Sequence, residues 1–267
     1  MQMTEDEIEK LIINSIDEDK ILLYFQPIYN VVKSRFTNAE ILSRIVDNNG
    51  DIVSPALFIP IAEKKGLIYD FGYSVLAKTC DFIRKTGRKD LNFSINISPL
   101  QIMKCDFAEK AISIINVYEI QPNQLTFEIT ESVNYELTDC FLNNVNKLEE
   151  YGIEFSLDDM GKGSSDLFKA TQLPLSSIKI DRMYIENIDT NMSLQLLVKN
   201  MILYANSKKM YVVAEGIETL GQKLILESLK CHYLQGFYFS KPLPENIFIQ
   251  LMCQRKIKLK FPVNSKF

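Results

Sequence analysis

Short apolar runs of strand length alternate with amphipathic runs of helix length along almost the whole chain, and few architectures accept such a series. The strand candidates are ILLYFQPI, RFTNAEIL, LNFSINIS, QLTFEIT, IEFSL, SIKI, YVVA and GFYF. Between and after them lie helix candidates in PALFIPIAEKK, YSVLAKTCDFIRKTG, FAEKAISIINVYE, CFLNNVNKLEEYG, a short one near DLFKATQ, LQLLVKNMILYANSKK, TLGQKLILESLK and PENIFIQLM. Repeated alternation of this kind predicts a closed (β/α) barrel. The first link breaks the rule: the segment between ILLYFQPI and RFTNAEIL is too short for the crossover a parallel pair requires, so these two strands are expected to be antiparallel. Gly66 and Gly87 stand where helix stops are expected. Thr4 followed by Glu7 reads as a capping box, and Ile8, Leu11, Ile12 and Ile16 recur at helical spacing, so an amphipathic helix opens the chain and seals one end of the barrel.

At 267 residues and 46% hydrophobic, the chain can bury one large core, which favours a single barrel over two small domains. The expected division is a helix over 1–20 packed on a barrel over 21–253, followed by a basic tail over 254–267. A net charge of -4 argues against general nucleic-acid binding, which needs a face of clustered Lys and Arg. Cys80, Cys105, Cys140, Cys231 and Cys253 are odd in number and scattered, and reduced thiols are the reading they favour. The acidic start MQMTEDEIEK lacks the build of a signal peptide, and LQLLVKNMILYA, interrupted by Lys199, is too short to span a bilayer. These features predict a cytoplasmic protein with no membrane span.

The chemistry of the chain is carried by side chains that end the apolar runs. FSLDDMGKGSS delivers Asp158 and Asp159 together at a strand end, and other runs finish on Glu40, Asn96, Glu128 and Glu215. In a parallel barrel the reactive groups gather at the C-terminal ends of the strands, where loops converge on one substrate. Any one of these acids alone is as readily a helix cap; the set together reads as a metal site. All the donors are oxygen, and the single histidine, His232, has no partner of its type and reads as a surface or packing residue, so Mg²⁺ or Mn²⁺ fits better than Zn²⁺. Two such ions about 3.5–4 Å apart would reverse the local field and lower the pKa of a bound water towards about 7, which suits phosphodiester cleavage. Lys179 ends another strand; its ammonium stabilises transition-state charge, orients the attacking water, or neutralises Asp181 or a neighbouring carboxylate.

In order and over nearly the whole chain, YFQPI, EIL (Glu40 to Leu42), PALFIPIAEKKGLI, FSINIS, FEITES, LDDMGKGSS, LPLSSIKIDR, VVAEGIET and QGFYFSKPLP resemble the EAL family of cyclic di-GMP phosphodiesterases. The resemblance implies an α/β fold, a (β/α)8 TIM-like barrel with one antiparallel strand near the N-terminus. It also implies two Mg²⁺ or Mn²⁺ ions, hydrolysis of cyclic di-GMP to linear pGpG, and a homodimer. Carried over by position, Glu40, Asn96, Glu128, Asp158 and Asp159 correspond to metal ligands, with Asp158 bridging. Glu215 corresponds to a ligand or to a base handling the attacking water, and Lys179 to the catalytic lysine. Gln235 corresponds to a late active-site glutamine, and Gln26 and Arg44 to contacts with the dinucleotide, with an ion-pair role open for Arg44. Glu131 and Glu218 correspond to positions that support active-site loops, while Gly161 and Gly163 give the loop after the paired aspartates the backbone freedom for a tight turn.

The chain departs from that family in the loop after the paired aspartates, where Met160, Lys162 and Ser164 replace an aromatic, a small polar residue and a tyrosine. Ile41, Ser43 and Ile45 also depart from the signature around Arg44. A receptor that binds cyclic di-GMP without hydrolysing it is therefore the second reading. A protein-interaction domain without nucleotide chemistry is the third.

Overall fold

The computed structural model describes residues 3–130, 137–160 and 171–253. Eight strands close into a barrel: β1 (Leu22–Asn30), β2 (Arg35–Val46), β4 (Asn92–Ile97), β5 (Leu125–Thr130), β6 (Glu154–Met160), β7 (Ser177–Ile180), β8 (Tyr211–Ala214) and β9 (Tyr233–Leu234). Strands β2 and β4 to β9 run parallel in sequence order. Strand β1 closes the ring antiparallel to β2 on one side and to β9 on the other. The link from Val31 to Ser34 accounts for that reversal, since no helix fits into it. Two short strands lie outside the ring, β3 (Ile52–Val53) on β2 and β10 (Leu243–Pro244) on β1.

Helices cover the outside: α2 (Pro55–Lys64), α3 (Ile68–Thr86), α4 (Pro99–Ile102), α5 (Phe107–Tyr118), α6 (Asp139–Tyr151), α7 (Arg182–Ile185), α8 (Met192–Ser207), α9 (Leu220–Ser228) and α10 (Glu245–Cys253). Preceding them, α1 (Glu5–Asp17) starts on the Thr4–Glu7 capping box and packs on the flank formed by α2, α3 and β2, burying Ile8 and Ile12. Gly87 ends α3 in the left-handed region at φ 59°, a conformation in which glycine meets no Cβ penalty.

Alternation along each strand divides the molecule into two interiors. Phe93, Phe127 and Phe155 face outward and are fully buried under the helices, while Ser94, Glu128 and Ser156 point into the barrel. Phe25 of β1 stacks on Phe248 of α10 with ring centroids 4.9 Å apart, so the last helix seals the same apolar layer. The barrel interior is therefore polar, unlike the Val, Ile and Leu layers that usually fill this fold.

Two expectations are corrected. GFYF is not a strand: the last barrel strand is Tyr233–Leu234, and Phe239 instead stacks on Tyr29 at 4.9 Å. A two-residue strand is too short to show a period, and the apolar run that follows it is a packing turn. The thiols are not all free, because Cys105 and Cys140 form a disulfide across 35 residues, tying the segment before α5 to the first turn of α6. Their spacing gave no hint, since the contact is made by packing of α4 and α5 against α6. Among the described residues no helix is long and apolar enough to cross a membrane.

Candidate functional site

The C-terminal ends of the barrel strands bring together most of the side chains singled out in the sequence. Lys179, 1% exposed, stands at the centre of four carboxylates. Its Nζ lies 2.7 Å from Glu128 Oε2, 2.8 Å from Glu215 Oε1, 3.2 Å from Asp158 Oδ1 and 3.4 Å from Glu40 Oε2. Glu40 is held on both oxygens: Asn96 Nδ2 donates to Oε1 at 2.8 Å and Gln235 Nε2 to Oε2 at 2.6 Å. Gln26 faces Glu40 directly in the β1–β2 ladder and lines the same pocket. Lys179 thus neutralises carboxylates of this cluster, whereas Asp181 caps α7 by accepting from Met183 N at 2.8 Å.

Successive strand residues normally point to opposite faces, so Asp158 and Asp159 in tandem need a local device. The pairing of β6 with β7 shifts register between Leu157 and Met160, and Asp159 takes φ 57°. Asp is one of the few residues that tolerate this left-handed conformation, and the bulge turns its carboxylate toward the ring. Asp159 N donates to Asp158 Oδ1 at 2.9 Å. Carboxylate oxygens of Asp158, Asp159 and Glu215 lie within 4.8 Å of one another, close enough to share one ion.

Electrostatics shows why the cluster wants cations. Burial pushes Glu128 up to about 8 against the pull of Lys179, with Glu40 and Asp158 adding to the rise. Burial likewise raises Glu215 to about 8 and holds Asp158 above its usual range. For Glu40 burial is again the largest influence, but Lys179 and the hydrogen bonds from Gln235 and Asn96 outweigh it and leave its pKa low. Burial disfavours the ammonium of Lys179, yet Asp158, Glu128, Glu215 and Glu40 together hold it well above the ordinary lysine value. Among the described residues one ammonium serves all these acids, so the set is short of positive charge in a buried place. An all-oxygen donor set with raised carboxyl pKa values is the environment hard divalent cations stabilise.

A pocket of about 280 Å³ opens above this layer, lined by Gln26, Arg182, Glu218, Gly236 and Phe237 besides the acids. Three of these, Arg182, Gly236 and Phe237, were not assigned from the sequence. Arg182 follows the cap residue Asp181 and pairs with Glu218 at 3.0 Å, so Glu218 holds a cation at the rim. The turn after Glu215 depends on Gly216, at φ 70°, where a Cβ would stand 2.5 Å from Arg182 Cγ. At Gly236 a Cβ would stand 2.2 Å from the backbone oxygen of Ile217. Arg44 lies off this pocket: it donates to the Ser43 carbonyl at 2.8 Å and sits 5.8 Å from the Tyr24 ring. Met160 ends β6 as a buried residue, 1% exposed. Glu131, Gly161, Lys162, Gly163 and Ser164 lie outside the described residues. His232 is a packing residue, its Nδ1 accepting from Val212 N at 3.1 Å.

The family description "EAL domain" matches residues 9–242. The chain is 33% identical over 249 residues to the signaling protein YkoW of Bacillus subtilis, covering 92% of this chain and 31% of that protein. It is 30% identical over 232 residues to the probable cyclic di-GMP phosphodiesterase PdeA of Escherichia coli, covering 86% of this chain and 31% of that protein. The chain therefore spans about a third of the length of these curated relatives. Among solved structures, the PaMucR phosphodiesterase in complex with c-di-GMP superposes with a TM-score of 0.83 at 28% identity, covering 91% of this chain and 99% of that one.

Proposed function

This chain belongs to the EAL domain family, and from that premise we propose that it is a metal-dependent phosphodiesterase hydrolysing cyclic di-GMP to linear pGpG. The observation that carries the reading is the buried ring of Glu40, Glu128, Asp158 and Glu215 around Lys179, with Asp159 turned in beside it. Glu40, Asn96, Glu128, Asp158, Asp159 and Glu215 are the residues that would hold two Mg²⁺ or Mn²⁺ ions. When bound, such ions supply a water acidic enough to attack phosphorus near neutral pH and screen the phosphate from the carboxylates.

The chain's own groups do the rest. Asn96 and Gln235 fix both oxygens of Glu40, so that carboxylate enters the reaction already oriented. Lys179 keeps its charge and offers it to negative charge developing on the phosphoryl oxygens. Glu215, held near neutrality by burial, either binds a metal or takes the proton of the attacking water. Gln26 and Gln235 reach the dinucleotide from inside the pocket, and Phe237, 52% exposed at its rim, offers a face for a guanine ring. Attack by water forms one P–O bond, and the 3′ oxygen leaves with a proton, giving one new phosphate end.

A homodimer is part of the proposal. On α8, Met192, Leu196 and Leu203 are exposed along one stripe, an apolar face that a second copy would cover. Sedimentation is expected to show a dimer for the native chain and a monomer for the Leu196→Asp, Leu203→Asp double variant. For the activity itself, incubation with cyclic di-GMP and Mn²⁺ is expected to yield pGpG, and EDTA or Glu40→Ala to abolish it. Binding of cyclic di-GMP without product would transfer the chain to the receptor reading.

A further inference from the structure

The barrel has a second opening on the face opposite the acidic layer. In barrels of this kind the positions below the catalytic layer carry bulky branched side chains that fill the interior. Here most of them are small and polar, Asn92 and Ser94 on β4, Thr126 on β5, Ser156 on β6 and Ser177 on β7, with Ile28 on β1 and Val213 on β8 the branched exceptions. These side chains are too small to fill the space, and a cavity of about 360 Å³ runs from the N-terminal mouth of the barrel up to the underside of Glu128. Thr126 Oγ1 donates to Asn92 Oδ1 at 2.9 Å. Ser94 Oγ and Ser156 Oγ have no partner among the described residues, although the two residues are only 5% and 1% exposed. Buried hydroxyls of this kind are rare in folded proteins and ask for a donor or acceptor from outside the chain. At the mouth stand two rings, Tyr233 and the 52% exposed Tyr211, edge to face at 5.7 Å.

We propose that this cavity is a second binding site, for an uncharged, hydroxyl-rich ring of the monosaccharide class. The volume falls in the range of small-molecule sites. The wall gives an ion little to bind: Glu128 is already taken by Lys179 at 2.7 Å, the exposed Lys33, Lys89, Asp90 and Glu154 at the mouth carry two charges of each sign, and the wall between is mostly hydroxyl and amide groups, so a buried charge would go unpaired. It also disfavours a purely apolar guest, which would leave Ser94 and Ser156 without partners. A saccharide matches both parts of the site. Its hydroxyls pair with the serines and Asn92, and its C–H face lies against Tyr211 or Tyr233. Because Glu128 is the roof of this cavity and a member of the acidic layer, a bound ring would touch the site from behind. The binding claim stands apart from the hydrolase reading, because its test reads occupancy and not turnover.

The test is a titration of the whole chain with free hexoses, pentoses and inositol, followed by ligand-observed nuclear magnetic resonance. Saturable binding by one of these probes is expected. Ser156→Leu, which fills the cavity, is expected to abolish it. Tyr211→Ala, a change at an exposed rim position that leaves the core untouched, is expected to weaken it about tenfold. The Tyr211 variant decides the matter if Ser156→Leu fails to fold. No saturable binding by any probe, or binding unchanged in Tyr211→Ala, would overturn the proposal and leave the cavity to water alone.

Discussion

At the scale of single residues, Lys179 decides most. Its ammonium is the one cation in contact with Glu40, Glu128, Asp158 and Glu215 among the described residues. Removing one partner of a buried ion cluster leaves uncompensated charge, which costs about 3–5 kcal/mol. Lys179→Ala is therefore expected to destabilise the metal-free protein by about that amount in urea denaturation, with part of the loss restored by Mn²⁺. In turnover, the same change is expected to lower kcat about 10²–10³-fold with little change in KM, since the lysine acts on transition-state charge. A KM effect as large as the kcat effect would contradict that role. The identities of these residues were legible in the sequence because each ends an apolar run. What was hidden is the device at Asp159: a doublet of acids says nothing of a bulge, and only the left-handed backbone turns the second one inward.

At the scale of elements, the turns after β8 and β9 set the rim of the pocket. Gly236 has the backbone of Ile217 pressed against the place where a Cβ would be, at 2.2 Å from its oxygen. Backbone cannot swing aside as a side-chain tip does, so Gly236→Ala must displace the turn and with it Gln235, which holds Glu40. The expected outcome is a folded protein with turnover reduced about tenfold or more, read by steady-state kinetics beside far-ultraviolet circular dichroism. Unchanged kinetics would show that the turn does not position Gln235. Element types and order were readable because strands such as LNFSINIS and QLTFEIT alternate cleanly and the helices carry their caps. GFYF misled because its apolar residues pack in a turn, while the true strand beside it, Tyr233–Leu234, is too short for any pattern. The Cys105–Cys140 bridge was unreadable for a different reason, being a product of how α4, α5 and α6 pack.

At the scale of the whole molecule, the polar barrel interior couples folding to pH and to cations. Glu128 and Glu215 have folded-state values of about 8 against an ordinary 4.5, so between these limits the folded chain binds more protons than the unfolded chain. Stability of the metal-free protein is therefore expected to fall as pH rises through that window. The lowered value of Glu40 acts only below the ordinary carboxylate range, where its contribution is lost as pH falls. Guanidinium denaturation near pH 5 and near pH 8 checks the sign: a higher midpoint near pH 8 would contradict it. Bound cations require the same carboxylates deprotonated, so metal affinity is expected to rise across the same window. The closed barrel and its reversed first strand were legible from alternation and one short link; the cavity behind Glu128 was not, because small polar residues within strands give no sign of the space they leave. The most direct test of the central claim is hydrolysis of cyclic di-GMP in ¹⁸O-labelled water with Mn²⁺, with the product weighed by mass spectrometry. The account predicts pGpG carrying one ¹⁸O atom in its terminal phosphate, and none formed by Glu40→Ala. Cyclic di-GMP bound by the native protein and recovered unchanged would contradict it.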